Sequence, residues 1–349
     1  MSDIYDVIIV GLGPAGSTLG RLLNDKLSVL ALDKKSVSGG FKKPCGGLLA
    51  PDAQKSLARF GLTLPKSVLV DPQIFSVETI DLQSSLKREY SRSYVNMDRH
   101  AFDLWLMSLL PPNVTVITDA VFTGLMKTDD GFSVAYKKNG AAFEARAKYV
   151  VGADGAASVV AKSAGIAVKA RRYAAIQRWF RGEDITPRYI CAFDSSLTDC
   201  YMWGLTKDEY FILGGAFSPN MCRARFETFK EKTELKLGEE VKSEACAVLR
   251  PNGVTDCRCG KDGVFLAGEA AGFISPSSLE GISWAFDSAS ALANALNSAF
   301  ERKTADPLSQ YSTSAMKLRV KLFSKHMKQP FIYYPPLRRF VMKIGAGTL

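Results

Sequence analysis

The chain opens on an apolar, β-branched run at residues 7–10 of "YDVIIVG", the composition of a strand buried on both faces. A glycine-rich turn, the helix-like "PAGSTLGRLL" and a second apolar run, "LSVLALD", follow directly. That order predicts a parallel βαβ unit at the start of the chain. Two later stretches repeat the strand-then-helix pattern: "AKYVVGADGAASVVAKSAG" over 147–165 and "KDGVFLAGEAAGFISPSSLEGISWAFDSASALANALN" over 261–297. In the second, Ile282, Ala285, Phe286, Ala289, Leu292 and Leu296 give one apolar helical face. The intervening "IFSVETIDLQSSLKREYSRSYV", "YICAFD" and "EYFILGGAF" are richer in alternating and aromatic residues, which predicts an antiparallel sheet. The pattern therefore predicts an α/β chain with a discontinuous first domain at 1–75, 96–168 and 255–300. A second, sheet-forming domain takes 76–95 and 169–254, and 301–349 forms a C-terminal helical region.

Gly11, Gly13 and Gly16 make G-x-G-x-x-G between the first strand and its helix. Gly11 suits the tight turn, Gly13 lets backbone approach a pyrophosphate, and Gly16 lets the helix close on the sheet. Pro14 suits the first helical turn, where a missing N–H costs little, and Ala15 stands beside it. Asp33 ends the second strand 22 positions after Gly11, where a carboxylate can accept from an adenosine ribose. Lys34 next to it joins the candidate cofactor contacts. The unit is Rossmann-like and predicts a bound dinucleotide without separating FAD from NAD. The two later units supply Asp154-Gly155 and Gly268-Glu269, and Glu280-Gly281-Ile282 opens the long helix. A helix N-terminus there would aim N–H groups at an anion such as the pyrimidine end of a reduced flavin.

Length and composition add bounds. At 349 residues the chain is long for one core and fits two domains. No apolar run approaches the roughly 20 residues of a bilayer span, and "MSDIYDVIIVG" lacks the marks of a secretory signal. Seven scattered cysteines read as reduced thiols in a cytoplasmic protein. Cys257 and Cys259 have no second pair nearby and the two histidines, His100 and His326, lie far apart, so no metal site is expected.

The net charge of +10 is uneven, with eight Lys or Arg and no Asp or Glu in 315–349. Such a tail suits nucleic acid, an anionic membrane or an acidic protein. Its mixture with Leu, Phe, Ile and Met, and the absence of any nucleic-acid-binding motif, argue against nucleic acid. Leu318, Val320, Leu322 and Phe323 stand among Lys317, Arg319, Lys321 and Lys325, and Pro330, Pro335 and Pro336 break the tail into short segments. The expectation is peripheral attachment at the inner face of the cytoplasmic membrane; the plainer reading is a basic helical cap on the first domain.

The three motif sets together resemble the FAD-dependent superfamily that includes p-hydroxybenzoate hydroxylase and geranylgeranyl reductase. The resemblance implies a GR2-type FAD-binding domain with an antiparallel substrate domain, and non-covalent FAD. It places Asp154 near the pyrophosphate and substrate channel, and Glu269 on the ribitol, where the family usually has Asp. It puts Arg99 of "NMDRHAFDLWL" over the flavin and its phosphates. "KPCGG" and "GEAAGFISPSSLEGIS" point to the geranylgeranyl reductase branch, because the hydroxylases usually carry a histidine where Gly272 stands. In the reductases the thiol of Pro-Cys-Gly-Gly faces the flavin ring, which here implicates Cys45, Gly46 and Gly47, and Gly281 and Ile282 match their Glu-Gly-Ile. "CYMWGL" is similar to their Tyr-x-Trp-x-Phe-Pro substrate signature. It keeps Tyr201 and Trp203 but has Leu205 and Thr206 in place of Phe and Pro, which leaves the substrate open.

The activity this implies is reduction of a C=C double bond in an isoprenoid or other hydrophobic substrate, with a hydride from the flavin and a nearby proton. Cys45 is a proton donor or a positioning group, with Tyr201 or a water as competitors for the proton. Trp179 and Phe193, with Tyr201 and Trp203, would line an apolar pocket. No second G-x-G-x-x-G is present, so the electron donor is NADPH visiting transiently or an acidic carrier of the reduced-ferredoxin kind. Two other classes stay open: an FAD-dependent monooxygenase, and a flavoprotein serving sensing or partner binding.

Overall fold

The structure, a computed structural model, describes residues 4–36, 42–181, 187–302 and 306–345. Strand Ile4–Val10 lies inside a sheet whose parallel core runs, in spatial order, Val264–Leu266, Ala141–Gly152, Ile4–Val10, Val29–Leu32 and Val114–Ile117. Ile4–Val10, Val29–Leu32, Val264–Leu266 and the second half of Ala141–Gly152 are rich in buried Val, Ile or Leu because both faces are covered there, as the opening run predicts. Ala120–Thr128 and Gly131–Lys138 form a hairpin that pairs antiparallel with the first half of Ala141–Gly152. Helix Ile282–Arg302 packs along helix Pro14–Leu22, and Asn297 Nδ2 donates to Leu22 O at 2.9 Å.

The second sheet runs Glu239–Arg250, Arg171–Arg181, Tyr210–Phe217, Met202–Lys207, Tyr189–Phe193, Ile74–Asp81, Leu86–Asn96 and Leu48–Leu49. All its pairings are antiparallel except that of Tyr189–Phe193 with Ile74–Asp81. The edge strand Leu48–Leu49 comes from within the span that the sequence assigns to the first domain. Gly47, at φ +68, turns the chain beneath Leu86–Asn96, and Met97 N donates to Gly47 O at 2.8 Å. One face of this sheet is sealed by helix Cys222–Lys232, whose Phe226 and Phe229 pack on Ile176, Phe211 and Leu213. The register puts Gln177, Gly214 and Trp203 side by side on the opposite face, which also carries Trp179, Ile212 and Leu205. A Cβ on Gly214 would lie 2.6 Å from the Trp203 ring, so the glycine of "ILGGAF" is what lets that indole lie flat on the sheet.

The C-terminal region folds into helices Pro307–Ser314, Met316–His326, Gln329–Tyr333 and Pro335–Ile344. It corrects the reading of the tail as one mixed basic and apolar surface. Leu318 and Leu322 are buried in the core of the first domain. Lys321 pairs with Asp52 and Asp287, Lys325 with Asp52, and Arg319 Nη1 donates to Ser312 O. These five side chains face inward because the helix has apolar, acidic and carbonyl partners on that side. No helix among the described residues is long and apolar enough to cross a membrane.

Candidate active site

The glycine-rich loop has the shape its chemistry requires. Gly11 sits at φ +97, and a side chain there would strike Ala153 O at 2.6 Å. A Cβ on Gly16 would come within 1.8 Å of Gly11 O, so the helix can close on the turn only without one. Gly13 is different: a Cβ there would meet only Arg99 Nη2, at 4.0 Å. Gly13 is also the N-cap of helix Pro14–Leu22 and offers no side-chain cap to its first N–H groups. The loop thus leaves space bounded by a helix N-terminus and a guanidinium, a donor set that fits the pyrophosphate of FAD. Ala15 borders the third motif, its Cβ 3.0 Å from where a Cβ on Gly268 would lie.

Arg99 begins helix Arg99–Ser108 and is held by Asp103, one helical turn on, with Nε donating to Oδ1 at 2.9 Å. Burial works against its charge, but Asp103 and then the neighbouring Cys45 keep the guanidinium pKa above its ordinary value. The expected flavin-side arginine and the expected flavin-side thiol are therefore neighbours.

The acidic residues of the motifs have internal partners. Asp33 is buried and accepts from Leu12 N, from Lys35 N at 2.6 Å and from Lys35 Nζ at 3.2 Å, while Lys34 beside it is exposed. Asp154 caps helix Val159–Ser163, accepting from Ser158 Oγ at 2.6 Å and Val159 N at 2.7 Å, and burial raises its pKa despite these bonds. Its backbone borders Gly11. Glu269 accepts from Lys43 Nζ at 2.9 Å and from Leu249 N at 3.0 Å. At the start of the long helix, Glu280 accepts from Ser283 N at 2.7 Å, and burial raises its pKa. A carboxylate thus stands beside the N-terminus where Gly281 and Ile282 were expected to meet a flavin anion, and Ile282 packs in an apolar cluster with Leu49 and Phe286.

Residues 44–47 lie between the two sheets. Gly47 N donates to Cys45 Sγ at 3.4 Å, and Gln177 Nε2 approaches Cys45 O at 3.5 Å. A Cβ on Gly46 would meet Leu205 Cδ2 at 3.2 Å, and one on Gly47 would meet Met97 O at 2.2 Å and Lys207 Nζ at 2.7 Å. The bare backbone here is needed for close packing against protein, a role the sequence reading gave to the flavin. Cys246 also faces this segment. Its thiol donates to Pro44 O at 3.7 Å, and burial pushes its pKa up to about 11.

The aromatic residues share one sheet face, in two groups. Tyr201 lies 5.7 Å from Trp203 and 6.5 Å from Phe193 between ring centroids, and Phe193 lies 5.9 Å from Tyr333 of the C-terminal region. Trp179 instead donates through Nε1 to Glu244 at 2.9 Å and packs on Tyr210. Trp203 stands two strands from Gln177, about 10 Å by the usual strand spacing, which sets an apolar surface beside the Cys45 carbonyl. Tyr201 donates its hydroxyl to Ser278 O at 2.8 Å, and burial holds its pKa well above the usual tyrosine value. That geometry commits its proton to a backbone carbonyl. Sequence reasoning missed Lys43, Lys207, Gln177 and Cys246. Asp103 alone had a visible signal, its i,i+4 spacing from Arg99.

Comparison with known proteins bears on the fold and the cofactor. A family model described as an FAD binding domain matches residues 112–186. Protein CbrA of Escherichia coli O6:H1 is 49% identical over 350 residues, covering 99% of this chain and 94% of its own. Among solved structures, a geranylgeranyl bacteriochlorophyll reductase-like protein from Thermoplasma acidophilum superposes with TM-score 0.81 at 21% identity, covering 94% of this chain and 86% of its own. The myxobacterial FAD-dependent halogenase CndH superposes with TM-score 0.75 at 17% identity, covering 95% and 83%. The fold is that of the FAD-dependent oxidoreductases, and FAD is the cofactor. Within that class, the chain belongs to the CbrA family.

Proposed function

We propose that this protein is an FAD-dependent reductase that saturates C=C double bonds of an isoprenoid or other hydrophobic substrate, working from a membrane surface. The observation that carries the reading is that Cys45 lies close enough to Arg99 to influence its charge, while the same guanidinium faces Gly13. The thiol is thereby tied to the cofactor loop on one side and to the apolar sheet face of Leu205 and Trp203 on the other. FAD, when bound and reduced, supplies the hydride. Arg99 and the helix N-terminus at Gly13 hold its phosphates, Lys43 and Glu269 border the same space, and Cys45 delivers or orients the proton. Gly272 supports a reductase over a hydroxylase. It sits at φ +82, and a Cβ there would meet Val168 Cγ1 at 3.2 Å and Cys257 Cα at 3.4 Å, so the hydroxylases' histidine would need a strained backbone and a shift of Val168. The electron donor in this reading is NADPH or an acidic reduced-ferredoxin-like carrier.

The test is anaerobic reduction of the holoprotein followed by detergent-solubilised prenyl lipids, reading flavin reoxidation and product mass. A product heavier by two hydrogens supports the proposal; reoxidation by oxygen alone, with hydroxylated product, overturns it. Cys45→Ser should keep FAD and slow lipid-driven reoxidation by ~10²–10⁴-fold if the thiol is the acid. An unchanged rate would make Cys45 a packing residue.

A further inference from the structure

Eight of the eighteen exposed large apolar side chains among the described residues fall between 316 and 344. On helix Met316–His326 they are ordered. Met316, Val320, Phe323 and, at its C-cap, Met327 follow one another at spacings of four, three and four. That is one stripe of an α-helix, and it lies opposite the buried Leu318 and Leu322. Helix Pro335–Ile344 repeats the device, with Phe340 and Ile344 exposed opposite buried Arg338 and Met342. A soluble surface rarely gathers its apolar residues this way.

The charge around the stripe selects its occupant. The inward lysines, Lys321 and Lys325, are already paired with Asp52 and Asp287. Lys317, Lys328 and Lys343 are exposed and form no ion pair among the described residues, and no Asp or Glu occurs after Asp306. An apolar helical stripe edged by unpaired cations, with no acid, fits an anionic lipid surface with the helix lying in the interface. We propose that helices Met316–His326 and Pro335–Ile344 form a membrane-docking face through these outward residues, not through the Leu and Lys residues that face inward. The short helix between them, Gln329–Tyr333, touches the aromatic group of Tyr201, Trp203 and Phe193. Tyr333 meets Phe193 edge to face and donates to Ser277 O at 2.6 Å, one residue from the carbonyl that holds Tyr201. Lipid at this face would therefore reach the aromatic wall directly, a consequence that rests on the reductase reading, whereas the docking itself does not.

Sedimentation of the holoprotein with phosphatidylethanolamine–phosphatidylglycerol vesicles tests the inference, with phosphatidylcholine vesicles as the comparison. Binding should require phosphatidylglycerol and weaken with salt. The double variant Val320→Ser/Phe323→Ser should bind about tenfold less or weaker still, and Lys317→Glu/Lys328→Glu should lose the preference for phosphatidylglycerol. All these positions are exposed, so FAD content should not change. A wild type that stays in the supernatant, or a serine variant that binds as well as wild type, overturns docking. So does a concentration-dependent dimer that the serine variant abolishes while neither protein binds vesicles, since the stripe would then belong to a second copy. Reduction of detergent-solubilised lipid is read separately, so loss of docking and loss of the reductase reading are distinguishable.

Discussion

Lys43 Nζ stands 2.9 Å from Glu269 Oε2, joining the segment that carries Cys45 to the third cofactor motif across 226 residues of sequence. The other oxygen of Glu269 accepts from Leu249 N in the second sheet. One carboxylate thus fastens both domains to the cysteine segment. The family's usual Asp would be a methylene shorter, and the span here accounts for Glu. Glu269 is the largest cause raising the Lys43 pKa, so the ammonium stays charged throughout the neutral range.

Because Lys43 remains about one-third exposed, the pair should be worth little in itself. A double-mutant cycle of Lys43→Met and Glu269→Gln, read by urea denaturation, should give a coupling of about 1 kcal/mol. Glu269→Gln should also loosen FAD by about tenfold if the carboxylate accepts from the ribitol as well. Zero coupling would mean that the contact does not persist in solution.

Two glycines of one motif should respond in opposite ways to the same methyl group. Gly16→Ala drives a Cβ into Gly11 O and should yield no stable protein. Gly13→Ala meets nothing closer than Arg99 and should fold with a near-normal Tm. Its methyl would occupy the space for the pyrophosphate, so FAD affinity should fall by about tenfold or more. A Gly13→Ala protein that retains FAD as wild type does would move the pyrophosphate off this loop.

Much of this arrangement is legible in the sequence, and the missing part has a physical pattern. The buried strands announce themselves because each is a local apolar run, and Gly11 and Gly16 because their need is local. The Arg99–Asp103 pair is written in a helical spacing. Lys43–Glu269, Lys321–Asp52 and Arg338–Asp81 join residues more than 200 positions apart, and no periodicity encodes which lysine turns inward. The tail shows the consequence. Its apolar residues form two opposed helical stripes, and only packing decides that Leu318 faces the core and Val320 the solvent.

Lys207 predicts a pH dependence. It is buried, donates to Asn96 Oδ1 at 2.8 Å and Met97 O at 2.6 Å, and burial lowers its pKa to about 8 despite nearby Cys45, Asp98 and Asp208. The unfolded chain holds this proton up to about 10.4. Between those values the unfolded state binds more protons, so stability contributed at this site rises with pH. Unfolding free energies from urea titrations of wild type, compared with Lys207→Met from about pH 7.5 to about 10, should diverge upward by at most about 3 kcal/mol. Lys207→Met leaves two acceptors unpaired and will be less stable throughout, so the slope is the quantity to read. Parallel curves would show that Lys207 titrates as a solvent-exposed lysine does.

Arg338 and Asp81, 1% and 0% exposed, clamp the last helix to the second sheet. Arg338 Nη2 and Nε donate to Asp81 Oδ2 at 2.8 and 3.1 Å, Arg339 Nε donates to it at 3.2 Å, and Ser84 N donates to Oδ1 at 3.0 Å. Burial works against the Asp81 charge, but these donors hold its pKa below the usual carboxylate range. The contribution is therefore present at neutral pH and is lost only as pH falls below about 3.9 and through the depressed folded value. Asp81→Asn at neutral pH strands the buried guanidinium and should cost about 3–5 kcal/mol. Asp81→Leu/Arg338→Leu removes both charges and should recover most of that loss. Limited proteolysis within 335–345 should speed up in Asp81→Asn and return toward wild type in the double variant. Equal cleavage in all three proteins would mean that apolar packing by Met342, and not this ion pair, holds the helix in place.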